Sequence, residues 1–187
     1  MEIYTDTYYI HRIQKGDTGC FACLLDKYSN QVFSLIMKIV RDREDAEELT
    51  QDVFMKVFKN LVSFKGESNF STWLYRIAYN TAISYTRKKK VEYLAIDEAQ
   101  ITNTPGEEIE DMFGGIDKEE RIGLLEKALE QLPPDERGLI LLYYVQDKSV
   151  EELKQITGLS VSNVKTKLFR IRKKLFVLIS EMEKTLI

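Results

Sequence analysis

Apolar side chains recur every three or four residues near the start of the chain, first between Asp17 and Val40. This spacing predicts one long helix. A second helix is predicted to begin after Asp42, whose side chain can cap it, and the acids that follow favour the positive end of the helix dipole. Its apolar positions form one stripe: Ala46, Leu49, Val53, Val57 and Leu61. The chain is therefore expected to begin with a helical bundle.

A third helix is predicted from Phe70 to Lys90, after a loop in which Ser68 or Asn69 can act as the cap. It has more aromatic surface than one apolar stripe can bury. Its expected core face carries Phe70, Leu74, Ile77, Ala78, Thr81 and Tyr85. Its other side carries Thr72, Arg76, Tyr79, Asn80, Ile83 and Arg87, with Trp73 and Tyr75 at the margins. Aromatic rings beside cations suit unstacked nucleic-acid bases, and the alternative is that these aromatic residues pack against the first helices or a second domain.

The helical pattern lapses between residues 94 and 118, where acids and the pairs Pro105-Gly106 and Gly114-Gly115 predominate. It returns at 119–131 and again after Pro134, which suits the first position of a helix. The sequence thus predicts an all-α fold of two small helical domains. These are an N-terminal helical bundle (1–93) and a C-terminal helix-turn-helix domain (119–187), joined by a flexible acidic linker (94–118).

The helix-turn-helix prediction rests on local signals between Ser149 and Leu175. Ser149 and Glu152 form a capping box, Gly158 supplies the left-handed stop, and Ser160 can cap the second helix. The side of that helix opposite its apolar stripe carries Ser162, Thr166, Phe169, Arg170 and Lys173, with Asn163 near its edge and Lys165 on its flank. Short polar groups and cations suit a helix in the major groove, and the alternative is a solvated basic face.

The net charge of −3 conceals a separation of acidic and basic segments. Eight acids and no cation lie from Glu92 to Asp117, whereas six cations and no acid lie from Ser160 to Leu175. The longest apolar run, 139–145, is far shorter than the roughly 18 residues that cross a bilayer. The first residues lack the pattern of a signal peptide. We therefore expect a cytoplasmic protein without membrane insertion.

Cys20, Cys23 and His11 offer at most three of the four ligands that a structural zinc site needs. We therefore expect both cysteines to be small apolar residues on a buried helix face. The chain also lacks a glycine-rich phosphate loop, and its single histidine has no nucleophilic partner in the sequence. No catalytic residue, metal, cofactor or small-molecule substrate is predicted.

The run 42–90, with DAEELTQDVF and FKGESNFSTWLYRIAYN, resembles the second conserved region of bacterial RNA polymerase sigma factors, specifically of the small extracytoplasmic-function (ECF) class. The run 132–175 resembles the fourth region of the same class. The resemblance implies an alternative sigma factor, a non-catalytic subunit that binds core RNA polymerase and directs promoter-specific transcription initiation. The implied partners are the β′ clamp helices and β flap of the polymerase, promoter DNA and an anti-sigma factor.

The resemblance also implies the role of individual residues. Those implied to bind polymerase are Glu48, Leu49, Gln51, Asp52, Phe54, Met55 and Lys56. Those implied to capture the melted strand of the −10 element are Phe64, Lys65, Ser68, Asn69, Trp73, Arg76, Tyr79, Asn80, Arg87 and Lys88. Those implied to read the −35 element are Ser162, Asn163, Lys165, Thr166, Phe169, Arg170 and Lys173.

Two positions depart from the sigma-factor pattern. Housekeeping members carry a second aromatic residue where this chain has Leu74, which implies weaker melting and stricter promoter demands. Lys154 stands where a small alanine is usual, so its side chain is expected to extend into solvent. The alternative function is a dimeric helix-turn-helix regulator with an N-terminal effector domain. The aromatic and basic helix and the acidic helix before it argue against that alternative.

Overall fold

The computed structural model describes residues 5–89 and 118–185, which form α-helices without any strand. The helices of the first half are α1 (Asp6–Gln14), α2 (Phe21–Val40), α3 (Arg43–Leu61) and α4 (Phe70–Lys89). Those of the second half are α5 (Lys118–Gln131), α6 (Pro134–Tyr144), α7 (Val150–Thr157) and α8 (Val161–Thr185). The all-α prediction is confirmed. The predicted linker lies outside the described residues except at Lys118.

The first half is built around α2, which packs against α1, α3 and α4. Asp42 caps α3 as predicted, because its carboxylate accepts a hydrogen bond of 3.0 Å from the Asp45 backbone N–H. The predicted stripe of α3 is buried along its whole length. Helix α1, which the apolar spacing did not predict, is held by Asp6, whose carboxylate accepts bonds from Lys27 and the Tyr28 hydroxyl.

The second half contains the predicted helix-turn-helix as α7 and α8. Ser149 and Glu152 form the predicted capping box, and Gly158 ends α7 at φ 77°, in the left-handed region that favours glycine. The Ser160 hydroxyl accepts a bond of 3.2 Å from the Asn163 backbone N–H at the start of α8. The stripe of α8 is buried at Val164, Leu168, Ile171 and Leu175.

The two halves pack directly against each other. Helix α7 lies along α4, and α6 contacts both α2 and α4. Buried apolar side chains of both halves belong to one continuous core cluster. Part of the side of α4 that faces away from its own bundle is therefore covered by the second half.

Candidate nucleic-acid interface

The outer face of α8 presents the predicted −35 residues to solvent. Exposed there are Ser162, Asn163, Lys165, Thr166, Phe169 and Arg170, whereas Lys173 is half-buried. Phe169 is 45% exposed, and the Lys173 ammonium lies 5.0 Å from the centre of its ring. Such a contact orients a cation over an aromatic face. The face thus combines hydroxyl, amide and cationic groups on one rigid helix.

Two further lysines of α8 are neutralised by acids at the start of α6. Lys167 lies 2.6 Å from the Asp135 carboxylate, and Lys174 lies 2.7 Å from that of Glu136. The Lys174 pair is largely buried, so it holds α8 against α6. Neither lysine offers an unpaired charge to a phosphate in this arrangement.

A groove of about 710 Å³ lies between the loop 62–69 and the first turns of α4. It brings together five of the predicted −10 residues: Phe64, Lys65, Ser68, Trp73 and Arg76. The rings of Phe64 and Trp73 are 5.0 Å apart, and that of Phe70 supports Trp73 from 6.0 Å. An aromatic wall beside two cations is an arrangement that can stack a base and hold its phosphates. Gln155 of α7 also lines this groove.

The remaining predicted −10 residues lie outside that groove. Asn69 lines a neighbouring cavity on the other side of the loop. Asn80 and Lys88 line a second groove between α3 and α4, together with Glu48, Asp52 and Lys56. Arg87 is exposed in the last turn of α4. A strand running from the loop along α4 would meet these cations in sequence.

The far side of α4 is only in part the exposed surface that helical spacing predicted, because half of its six predicted residues are exposed: Arg76, Asn80 and Arg87. Thr72, Tyr79 and Ile83 are buried, because α6 and α7 cover them. Tyr79 is 7% exposed, and its hydroxyl donates to the Asp135 backbone carbonyl across 3.3 Å. Burial raises the pKa of this hydroxyl, which keeps it a donor. For the buried part of this side, the structure shows the alternative in the sequence interpretation, which is packing against the second domain.

Helical spacing also misplaced further residues of α4 relative to the core, because Thr81 and Tyr85, predicted on the core face, are half-buried and line the second groove. Ile77 is only half-buried and lines both grooves, although its position predicted a core side chain. Tyr75 is buried and not marginal. Burial raises the pKa of Tyr75 to about 12. Its neutral hydroxyl reaches Gln146 of the second half, so that half again explains the difference.

A largely buried ion pair of the second half, formed by Lys148 and Glu152, lies at the contact with the first half. The Lys148 ammonium donates to the Ser71 hydroxyl at 2.8 Å and lies 3.3 Å from the Glu152 carboxylate. The same carboxylate accepts a bond of 2.7 Å from the Thr72 hydroxyl. Lys148 also lies 5.3 Å from the centre of the Tyr75 ring. This cluster joins the first turn of α4 to α7, and sequence analysis assigned Glu152 only to the capping box.

Arg137 is a second contact between the halves that the sequence interpretation missed. Its side chain is 2% exposed, and its guanidinium donates to five backbone carbonyls. The acceptors are Lys38 and Ile39 of α2 and Leu129, Glu130 and Leu132 at the end of α5. Carbonyls at a helix end lack partners within the helix. Arg137 thus caps two helices at once. In the sequence, only its position just before the apolar run 139–145 indicates that it is buried.

The predicted polymerase surface on α3 is present in part. Glu48, Gln51, Asp52, Met55 and Lys56 are exposed. Leu49 and Phe54 are buried, which corrects their assignment to the outer face: Leu49 belongs to the core stripe, and the ring of Phe54 contacts that of Phe21. Two exposed apolar residues that were not predicted, Phe58 and Val62, extend the surface beyond Met55.

The cysteines do not lie on a buried face as expected. Cys23 is exposed and Cys20 is half-buried. Burial and the neighbouring Asp17 carboxylate, 3.3 Å from the Cys20 sulfur, raise the pKa of this thiol. Among residues 5–89 and 118–185, no three His, Cys, Asp or Glu side chains cluster as metal ligands. No helix in these ranges has the length and hydropathy to cross a bilayer.

Comparison with known families matches each half of the chain. The family model of Sigma-70 region 2 matches residues 24–91, and that of Sigma-70, region 4 matches residues 122–175. The ECF RNA polymerase sigma-E factor of Escherichia coli (strain K12) is 34% identical over 177 residues, which cover 91% of this chain and 92% of that protein. The ECF RNA polymerase sigma factor SigW of Bacillus subtilis is 32% identical over 174 residues, covering 89% and 92%.

This chain belongs to the ECF sigma factors. It is thereby a DNA-binding transcription initiation factor that associates with RNA polymerase, from a family of transcription factors and not of catalytic enzymes. All the predicted polymerase and −10 residues lie within the region 2 match, and all the predicted −35 residues lie within the region 4 match. Lys154 extends into solvent as expected, near Glu151.

Solved structures resemble the ECF sigma factor over most of its length. CnrH in complex with the cytosolic domain of CnrY gives a TM-score of 0.68 at 20% identity, covering 94% of this chain and 97% of that one, and shows the fold alone. The sigma factor RpoE in complex with the anti-sigma factor NepR from Bartonella quintana gives 0.62 at 26% identity, covering 86% and 96%. The two-domain all-α layout is therefore shared.

The Glu152 carboxylate is expected to make the stability of this sigma factor depend on pH in the acidic range. Partial burial opposes its ionisation, but hydrogen bonds from Thr72 and Ser149 and the charge of Lys148 prevail and lower its pKa to about 2. An unfolded glutamate titrates near 4.3. Its stabilisation is therefore complete above that pH and is lost as the pH falls toward 2. We expect Glu152→Gln, which preserves the capping box, to show a shallower loss of stability.

Urea unfolding of both proteins between about pH 5 and 2 measures this difference. The change in the free energy of unfolding with pH is the quantity to compare, because the charge-neutral variant has lost the titrating group but not the N-cap contact. Parallel curves for the wild type and Glu152→Gln would contradict the assignment.

Proposed function

We propose that this ECF sigma factor reads the −35 duplex with α8 and captures the melted non-template strand of the −10 element in the groove beside Trp73. In this proposal the domain boundaries are 1–93, 94–118 and 119–187. The observation that carries it is the groove itself, because it gathers the aromatic wall of Phe64 and Trp73 and the cations Lys65 and Arg76 in one concave site.

The −35 assignment is supported by the chemistry of the exposed α8 face. An arginine such as Arg170 can form two hydrogen bonds to a guanine edge, and Asn163 can do so with adenine. Lys165 and Lys173 can contact phosphates, which position the helix without reading sequence. Ser162, Thr166 and Phe169 complete the proposed reading surface with hydroxyl groups and an apolar contact.

The −10 assignment is supported by stacking. Extruding a base from a duplex costs a few kcal/mol, and stacking on an aromatic side chain returns about 1–3 kcal/mol per base. Trp73 and Phe64 provide such faces, Ser68 and Asn69 provide polar groups beside them, and Arg76 and Lys88 follow along α4. Asn80 and Arg87 continue the same proposed path, whereas Tyr79 is buried beneath α6 and leaves it.

Polymerase binding is assigned to the exposed side of α3. Glu48 and Asp52 carry negative charge there, and Met55 is 55% exposed between them and Phe58. An acidic surface with an apolar centre suits a basic coiled coil such as the β′ clamp helices, while region 4 is proposed to meet the β flap. Since two of the similar solved structures are described as complexes with a cytosolic domain or an anti-sigma factor, we also propose an anti-sigma partner and a cytoplasmic location.

Reconstitution with core RNA polymerase on genomic DNA of the source organism tests this function. We expect promoter-specific transcription, with Arg170→Ala weakening duplex binding at −35 and Arg76→Ala weakening strand opening. Each loss is expected to be about 5-fold to 150-fold, because base contacts and stacking are worth about 1–3 kcal/mol. Footprinting measures the first step and permanganate reactivity of unpaired thymines measures the second.

Arg12→Ala is the matched control, because Arg12 is an exposed arginine that pairs with Asp17 and lines neither groove. It is expected to change neither step. Equal damage to both steps from Arg170→Ala and from Arg76→Ala would refute the division of roles. Tight operator binding without any affinity for core polymerase would instead favour the dimeric regulator.

A further inference from the structure

We propose that Gln14 of α1 is a positioning residue for strand capture, because it holds the loop 62–69 in the shape that builds the groove beside Trp73. This inference rests on the proposed function of that groove. It extends the strand-capture machinery beyond the part of the chain that the family model matches, since α1 ends before residue 24, where the region 2 match begins.

The side-chain amide of Gln14 joins the two ends of one tight turn. Its nitrogen donates to the Leu61 backbone carbonyl at 3.2 Å and to the Phe64 backbone carbonyl at 3.0 Å. The turn is closed by its own bond of 3.1 Å, from the Phe64 backbone N–H to the Leu61 carbonyl. An amide nitrogen has two hydrogens, so Gln14 uses both of them on this turn. The side chain thus fixes the point where the loop leaves α3.

The residue at the far end of this turn carries part of the groove wall. The Phe64 ring lies 5.0 Å from the Trp73 ring and 6.2 Å from the Phe70 ring. A backbone held at Phe64 therefore also holds the ring that faces Trp73. Lys65 and Ser68, which follow in the loop, line the same groove. If the turn is released, the aromatic wall and the polar groups beside it lose their common orientation.

Helix α1 is anchored well enough to support the loop. Its two isoleucines, Ile10 and Ile13, are buried against the bundle. At its start, the Asp6 carboxylate accepts bonds of 2.5 Å from the Lys27 ammonium and 2.6 Å from the Tyr28 hydroxyl, both on α2. The last turn of α1, which carries the amide that reaches the loop, therefore has little freedom to move.

Gln14→Met removes these two bonds with little other change. Methionine has nearly the same length, does not donate a hydrogen bond, and favours a helix about as much as glutamine does. Gln131→Met is the matched control. It makes the same chemical change at the end of α5, and Gln131 lines neither groove nor the cavity beside α1. Gln14→Lys is the conservative variant, because an ammonium can donate to both carbonyls.

The fluorescence of Trp73 measures the state of the groove wall directly, because it is the only tryptophan of the chain. For Gln14→Met we expect stronger quenching by acrylamide and emission at longer wavelength, since Phe64 no longer stays in place against the indole. Both quantities are expected to keep their wild-type values in Gln131→Met and to return toward them in Gln14→Lys. Circular dichroism should show unchanged helix content in all three variants.

Strand opening on promoter DNA measures the consequence for function. With core polymerase present, permanganate reactivity is expected to fall about 3-fold to 10-fold for Gln14→Met, which corresponds to the loss of a typical hydrogen bond. Protection of the −35 element should be unchanged, because α8 is not altered. In a Phe64→Ala background the same substitution should have no further effect, since the ring that Gln14 positions is already absent.

The outcomes separate this inference from the proposed function. Wild-type quenching in Gln14→Met would overturn the inference, and so would an equal loss of opening with and without the Phe64 ring. If quenching increases but opening does not fall, the comparison with Trp73→Ala decides. A loss of opening in Trp73→Ala would then keep the strand-capture site and overturn only the role of Gln14. Normal opening in Trp73→Ala as well would show that the groove does not capture the strand.

Discussion

Replacing Arg137 by methionine is expected to lower the free energy of unfolding by about 3–5 kcal/mol. The guanidinium is buried and donates to carbonyls at the ends of α2 and α5. Methionine fills much of the same volume but donates no hydrogen bond, so these carbonyls are left without this partner in a dry site. Part of the loss is expected to fall on the contact between the halves, because Lys38 and Ile39 lie across it.

Urea unfolding followed by circular dichroism measures this loss, and Arg12→Met is its control. Arg12 is exposed and its pair with Asp17 is a surface salt bridge, which contributes about 0–1 kcal/mol. A change below about 1 kcal/mol for Arg137→Met would show that water replaces the guanidinium at the two helix ends. Amide exchange at Arg41 and Leu132 would locate the damage, since both residues follow the helices that Arg137 caps.

Trp73→Ala is expected to reduce strand opening on promoter DNA about 5-fold to 150-fold, because stacking on an aromatic side chain contributes about 1–3 kcal/mol. The indole lies on the wall of the groove and contacts the rings of Phe64 and Phe70, which also contact each other. Alanine removes the stacking face, while affinity for core polymerase should persist because the exposed residues of α3 are unchanged. Permanganate reactivity of the opened strand is the measurement.

Trp73→Phe separates stacking from folding. Phenylalanine keeps a ring against Phe64 and Phe70, so the packing of the loop is preserved and a smaller loss of strand opening is expected. If Trp73→Ala and Trp73→Phe both open promoters as well as the wild type does, no base stacks on this residue. If both weaken core binding as strongly as opening, the residue supports the fold of the first half and not the DNA.

Much of the secondary structure could be predicted because its signals are local. Asp42, Ser149 and Gly158 each act on backbone groups within a few residues, and the structure confirms all three. The stripe of α8 was also predictable, since residues three and four apart share a face of any helix. The exposed face that remains carries the predicted −35 residues. Helix α1 escaped prediction because Asp6 and its partners Lys27 and Tyr28 are distant in the chain.

The candidate −10 surface was less predictable, because helical spacing shows which residues share a face but not what covers that face. Tyr79 and Thr72 share a side with Arg76, as predicted, yet only Arg76 remains exposed. Leu49 and Phe54 were placed on the polymerase surface by resemblance, although their positions on α3 direct them into the core. Local spacing was the better guide for Leu49, which belongs to the predicted stripe, whereas Phe54 lies outside that stripe and is buried against Phe21.

The amino-acid sequence by itself determined the all-α class, the ends of α3, α6 and α7, and membership of the ECF sigma factors, because these depend on short-range capping, spacing and motif order. Only the tertiary structure decided that α6 and α7 cover part of α4. That contact depends on shape and on long-range partners: the space left by Gly138, the carbonyls that Arg137 reaches, and the burial of Lys148 beside Glu152. None of these leaves a periodic trace in the sequence, since each arises only when residues far apart in the chain meet.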